Sequence, residues 1–218
     1  MLFVESEVDK RGKLYKAVSK KGSVVEFTAQ NEQTLTRWIL GILKTEGKMI
    51  TSGAMKQFLE KTGTDMERIR QELEKLICYC MEKESITEED VAVICSEQTE
   101  NKIFDMINAM AEKKQKKAME LYYDLLALKE PPMRILYLIT RQFNLLMQVK
   151  ELSEEGYSAK TISERLKMAG FIVRNCLRQA EYFSLKTLKE ALQDCVRMEE
   201  AVKTGRMNDV MSVELLLV

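Results

Sequence analysis

The chain has 218 residues, 45% apolar and 31% charged, enough to bury a core in two units at the usual ~100–150 residues per domain. Lysine plus arginine number 34 and aspartate plus glutamate 34, so no overall field drives it onto nucleic acid or acidic membranes. It holds no histidine, which excludes Ser/His/Asp triads, and neither a GxxxxGK[ST] loop nor a GxGxxG turn, so the chain alone is not expected to hydrolyse ATP.

Two adjacent prolines, nine glycines and abundant Leu, Met, Glu, Lys and Ala predict a mainly helical fold. The five cysteines are irregularly spaced, which reads as reduced cytosolic thiols. Cys78 and Cys80 lie two apart, about 200° around a helix, which fits neither a zinc knuckle nor a redox pair. No metal, cofactor or catalytic residue is expected. No run approaches the ~20 apolar residues of a membrane span, and no signal-peptide pattern opens the chain.

Leu2-Phe3-Val4 and Val24-Val25-Glu26-Phe27 read as short strands around a helix-length basic segment. Two strands make no stable sheet, so they read as the severed end of a βαβ-type domain, and the chain looks truncated. From Asn31 the pattern is helical, with Leu35, Trp38, Ile39, Ile42 and Leu43 on one face and Gly47 closing it. A second helix runs from about Ser52 to Gly63. Thr64 and Glu67 have capping-box spacing and open a third, bearing Ile69, Leu73, Leu76, Ile77 and Cys80. Thr87, followed by Glu88, Glu89 and Asp90, caps a short helix. This first helical unit ends near Cys95.

After the polar stretch 96–101 a second unit begins, with Ile103, Phe104, Met106, Ile107 and Met110 on one face. The next helix bears Tyr122, Leu125 and Leu126 and breaks at Pro131-Pro132. A long helix over about 133–153 contains Ile135-Leu136-Tyr137-Leu138-Ile139, apolar all round, and is expected to be the buried centre. Ser158 caps a short helix, Gly170 interrupts, and Ser184 caps a long helix that ends at Gly205. The apolar tail from Met211 is expected to dock as a last helix or turn.

Three features admit two readings. Residues 158–182, with Arg174 and Arg178, have the outline of a DNA-binding helix-turn-helix or of an ordinary hairpin in a bundle. Arg141 and Gln142 interrupt an apolar helix, where a guanidinium often reaches a carboxylate across an interface; a structural or intersubunit role is favoured over catalysis. The run Glu112 to Lys117 suits a DNA backbone, but is more often a solvated helix end with its cations near a C-terminus. The methionines follow the apolar faces as adaptable packing.

Several stretches in this order resemble the delta subunit family of the bacterial DNA polymerase III clamp loader. They are Asp9-Lys10-Arg11 with Lys13-Leu14-Tyr15-Lys16 and Val25-Glu26-Phe27; Glu72-Leu73-Glu74-Lys75-Leu76; Asn101 with Phe104; Arg141-Gln142-Phe143-Asn144-Leu145-Leu146; and Val202-Lys203-Thr204-Gly205. The resemblance implies a remnant of an AAA+-like domain over 1–29, a helical lid over 30–97 and a helical collar over 98–218. It implies a cytoplasmic, non-catalytic part of a polymerase assembly that helps open a sliding clamp and load it on primed DNA. Its partners would be the ATPase tau/gamma-type and delta-prime subunits through the collar, the clamp through the N-terminal domain only, and DNA indirectly. Arg141, Gln142, Lys203 and Thr204 are the candidate interface or structural residues. The competing class is a helix-turn-helix regulator using 158–182; for an enzyme no constellation of residues offers itself.

Overall fold

Few helix breakers in a chain of good helix formers yield twelve helices and one two-residue strand pair among the residues that the computed structural model describes, 1–5, 7–27, 30–96 and 99–217. Both inferred domain boundaries, 29/30 and 97/98, touch residues outside that set. The first helix, α1 (Lys13–Lys21), buries none of its residues. Leu2 to Val4 and Val24 to Phe27 enter no ladder. The strands expected there are absent from the described residues because a strand needs a hydrogen-bonding neighbour, and none is offered. Leu2, Val4, Val25 and Phe27 are left exposed.

The first helical unit comprises α2 (Glu32–Thr45), β1 (Met49–Ile50), α3 (Ser52–Thr62), α4 (Met66–Tyr79), β2 (Ser85–Ile86) and α5 (Glu88–Ile94). Asn31 caps α2, its side chain accepting from the Thr34 amide at 2.9 Å, and Thr51 caps α3 in the same way through Ala54. The cap of α4 is Asp65, which accepts from the Arg68 amide at 3.0 Å, one residue later than the Thr64 expected. Gly63, at φ 72°, turns the chain out of α3 just before, and a carboxylate suits the positive helix end.

The apolar faces of these helices meet in a core of Leu35, Ile39, Leu43, Phe58, Ile69, Leu73, Leu76 and Val91. Each such side chain contributes about 1.5–3 kcal/mol on burial. The parallel pair β1–β2 (Met49 beside Ser85, Ile50 beside Ile86) ties the two ends of the unit. Two lysines complete the helix ends. Lys48 Nζ donates to the carbonyls of Cys80, Met81 and Lys83 beyond α4, and Lys61 Nζ to those of Ala92 and Cys95 around the end of α5.

The second unit comprises α6 (Thr99–Ala111), α7 (Gln115–Ala127), α8 (Pro132–Glu154), α9 (Ala159–Leu166), α10 (Gly170–Ala180), α11 (Leu185–Lys203) and α12 (Asp209–Leu217). Pro131 and Pro132 start α8 as N-cap and first helical residue, where the missing N–H costs nothing. Helix α8 packs against α6, α9, α10, α11 and α12 and is the centre of the bundle, as its apolar run predicts. The tail docks as α12, burying Val213 and Leu217. The cores of the two units are separate clusters with no shared residue. No helix among the described residues is long and apolar enough to cross a membrane.

Candidate subunit-contact site

Helix α8 is not apolar all round. Ile135, Leu136, Leu138 and Ile139 are buried, but Arg134, Tyr137, Arg141 and Asn144 are exposed at spacings of three, four and three, a single stripe on the outer side. Tyr137 is 64% exposed. At its head, Arg134 pairs with Glu130 at 3.1 Å, and Glu130 accepts a 2.9 Å bond from the Thr99 hydroxyl where the chain enters the second unit. Lower down, Arg141 makes no hydrogen bond or ion pair with any described residue and lines a cleft between the two units.

Gln142, next to Arg141, is engaged inside the bundle. Its amide nitrogen donates to Gln179 Oε1 at 2.7 Å and lies 3.9 Å from Cys176 Sγ. Gln179 Nε2 in turn donates to the Phe104 carbonyl and to Asn108 Oδ1, each at 2.8 Å. This amide network joins α8, α10 and α6 at one level of the core. Burial pushes the neighbouring Cys176 thiol up to about 11, so it is a protonated packing group. Gln179 was not singled out in the sequence; the available signal was an amide on the apolar stripe of α10, one turn after Cys176.

Lys203 and Thr204 lie at the end of α11. Lys203 pairs with Glu199 one turn earlier, and the Thr204 hydroxyl donates to the Glu200 carbonyl at 2.7 Å, closing the helix before Gly205 at φ 71°. The structure therefore leaves Arg141 exposed, turns Gln142 into the bundle, and places Lys203 and Thr204 at the end of α11.

The hairpin 158–182 is built as α9 and α10 around a left-handed Lys167. Helix α10 buries Phe171, Val173, Cys176, Gln179 and Ala180, and its Arg174 pairs with Glu32 of α2 at 3.1 Å. Arg178 is bonded to Asn175. One cation of the would-be recognition helix is thus spent on the first unit.

The lysine run is divided differently from the expectation. Helix α6 stops at Ala111, Lys113 takes a left-handed φ of 56°, and Lys116 and Lys117 fall in the first turn of α7. The reason is the turn at Lys113, which sets these two cations at a positive helix end. Glu112 offsets Lys114 at 2.6 Å. No cluster of His, Cys, Asp or Glu among the described residues is placed to hold a metal ion.

These features define a two-unit helical protein whose second unit is a bundle around one central helix with an exposed arginine–tyrosine stripe. Residues 100–218 match the family model for the DNA polymerase III delta subunit, C-terminal domain, and the chain belongs to that family. It is similar to DNA polymerase III subunit delta of Bacillus subtilis, with 32% identity over 211 residues, covering 97% of this chain and 61% of that protein. It is also similar to a probable DNA polymerase III subunit delta of Aquifex aeolicus, with 25% identity over 142 residues, covering 65% of this chain and 41% of that one. Among solved structures, the Bacillus subtilis DNA clamp loader delta protein superposes with a TM-score of 0.76 at 32% identity, over 97% of this chain and 62% of the other. The chain thus spans less than two thirds of the relatives it matches.

Proposed function

We propose that the chain is the lid and collar of a clamp-loader delta subunit, a non-catalytic part that holds its place in a ring with ATPase tau/gamma-type and delta-prime subunits. The observation that carries the reading is the family match over residues 100–218, combined with the exposed stripe on the central helix of the second unit. Tyrosine and arginine on an outward face are the residue types that anchor protein interfaces. The collar would fix the subunit in the ring, and the lid would set the angle of whatever precedes it. Contact with the sliding clamp is assigned to no residue of this chain, and DNA is reached only through the assembled loader. In this reading 1–29 belongs to a preceding AAA+-like domain, consistent with its exposed apolar side chains. Arg141 faces a neighbour, while Gln142, Lys203 and Thr204 serve the bundle itself. A cytoplasmic replisome is the location this role requires.

The test is size-exclusion chromatography of the chain mixed with the ATPase and delta-prime subunits. Co-elution as one complex is expected; separate elution under conditions that assemble the intact loader overturns the proposal. The regulator reading is tested by titration with duplex DNA, where binding that weakens steeply with salt would favour it.

A further inference from the structure

Helix α2 turns to solvent a face that its own fold does not account for. It buries Leu35, Ile39 and Leu43 in the first core, and on the opposite side Gln33, Arg37, Leu40, Gly41 and Lys44 are exposed. At 3.6 residues per turn these five fall within an arc of about 100°. Gly41 lies in the interior of the helix, where glycine is a weaker helix former than alanine. Gly53 of α3 has its reason inside the fold, since a Cβ there would collide with the Glu88 carboxylate. A Cβ on Gly41 would meet nothing within 4 Å, so no neighbour in the chain requires the missing side chain.

Two further observations fall on the same face. Leu40, beside Gly41, is 46% exposed. The side chains of Arg37 and Lys44, one turn to either side of Gly41, make no hydrogen bond or ion pair with any described residue. Glu32 is the one acid of α2, and it is paired with Arg174; the next acid in the chain, Glu46, follows the end of the helix. The face is therefore basic at both ends and open, with a leucine and no Cβ at its middle.

A glycine on a helix surface lets a second backbone come close, an adjacent leucine offers it apolar contact, and uncompensated cations above and below select for acid. We propose that this face of α2 docks an acidic helix of a neighbouring clamp-loader subunit. That helix crosses at Gly41 against Leu40, and its carboxylates, two turns or roughly 10 Å apart, pair with Arg37 and Lys44. The identity of the partner rests on the function proposed above, and the contact gives the first unit an attachment besides the α8 stripe. A nucleic-acid strand fits this face less well, because Leu40 has no phosphate to meet and two cations release few counterions. A second copy of the chain would set cation against cation.

The experiment compares melting of the full chain alone with its affinity for the ATPase and delta-prime subunits, measured by titration calorimetry. Gly41→Ala should raise the melting temperature by about 2–4 °C, the gain that alanine gives at an open helix position in a chain of this size. The same variant should lower affinity about threefold, and Gly41→Leu about tenfold or more, because each added carbon stands where the partner backbone lies. Arg37→Ala with Lys44→Ala should weaken association and flatten its salt dependence while leaving the melt unchanged. Unchanged affinity in Gly41→Leu and in the charge variant overturns the docking face and leaves the α8 reading standing. Failure of the parent chain to associate with those subunits overturns both. Binding to a short duplex DNA that falls with the charge variant, with loader assembly intact, assigns the face to nucleic acid and overturns the proposal as well. If Gly41→Leu fails to fold by circular dichroism, Gly41→Ala and the charge variant decide.

Discussion

Gln142 of α8 donates its amide proton to Gln179 of α10 at 2.7 Å, and Gln179 is 1% exposed. The pair holds the centre of the bundle at a fixed rotation, because Gln179 also reaches Phe104 and Asn108 on α6. Gln179→Ala leaves these three groups short of a partner and should cost about 2–3 kcal/mol. Equilibrium urea unfolding measures it. Gln142→Ala, at a half-buried position, should cost less, and the double variant less than the sum because the two side chains share one bond.

What could be read from the sequence was local. The caps at Ser158 and Ser184 follow from a polar residue before an apolar repeat, and each side chain accepts from an amide three residues on. The polar stretch after Cys95, read as a boundary, lies between the residues of the two core clusters. What escaped depends on partners distant in the chain. Gln179 finds its acceptors 71 and 75 residues away, and Lys48 caps a helix end 32 or more residues on. The pairing of Met49–Ile50 with Ser85–Ile86 is too short to show an alternating pattern. Conversely, Leu2 to Val4 has strand-like composition, but a strand is a relation between two segments, and composition reports one. The exposure of Arg141 was likewise invisible, since only the bundle's geometry shows which side of α8 is left uncovered.

Asp90 gives the first unit a defined acid limit. Hydrogen bonding to the Lys83 ammonium and then to the Thr87 amide, at 2.9 Å, holds its carboxyl at about 2, below the ordinary 3.8. A depressed folded value means that the stabilisation is complete above about 4 and is lost as pH falls toward 2. Thermal melts from pH 6 to pH 2 should fall across that window. Asp90→Asn should cost about 1–2 kcal/mol at pH 7 and flatten the curve below pH 4.

The thiols should divide one against four. Cys78 is exposed, whereas Cys80, Cys95, Cys176 and Cys195 are buried, and burial pushes Cys95 and Cys176 up to about 11. Since the thiolate is the reactive form, a disulfide reagent at pH 8 should titrate one group quickly and the remainder only on unfolding. Two or more fast thiols in the native chain would mean that one of the cores opens readily.

Lys167 ends α9 at φ 51° and ψ 42°, a left-handed position with a lysine where glycine is the usual choice. A Cβ is strained there, but the lysine charge favours a helix C-terminus, and glycine costs unfolded-state entropy. The opposing terms leave Lys167→Gly stabilising by at most about 1 kcal/mol. A rise in the urea midpoint at unchanged slope is the expected reading. A fall would place the charge above the backbone strain.

The α8 stripe separates assembly from folding. Tyr137 is 64% exposed and lies between Arg134 and Arg141 on the same helix face, so most of it is uncovered in the isolated chain. Tyr137→Ala should change stability by no more than about 0.5 kcal/mol. If the stripe is the contact through which the collar joins its neighbours, truncating a central aromatic anchor removes about 2 kcal/mol or more of association, a loss of thirtyfold or so in affinity for the other loader subunits. Sedimentation velocity with those subunits at several concentrations measures it. Thr99→Ala, which removes the hydroxyl's bond to Glu130 at the head of the stripe, is the contrasting variant. Its effect should appear in the melting temperature, with affinity unchanged. The opposite allocation, stability lost at Tyr137 and binding lost at Thr99, would move the interface off α8 and onto the joint between the two units.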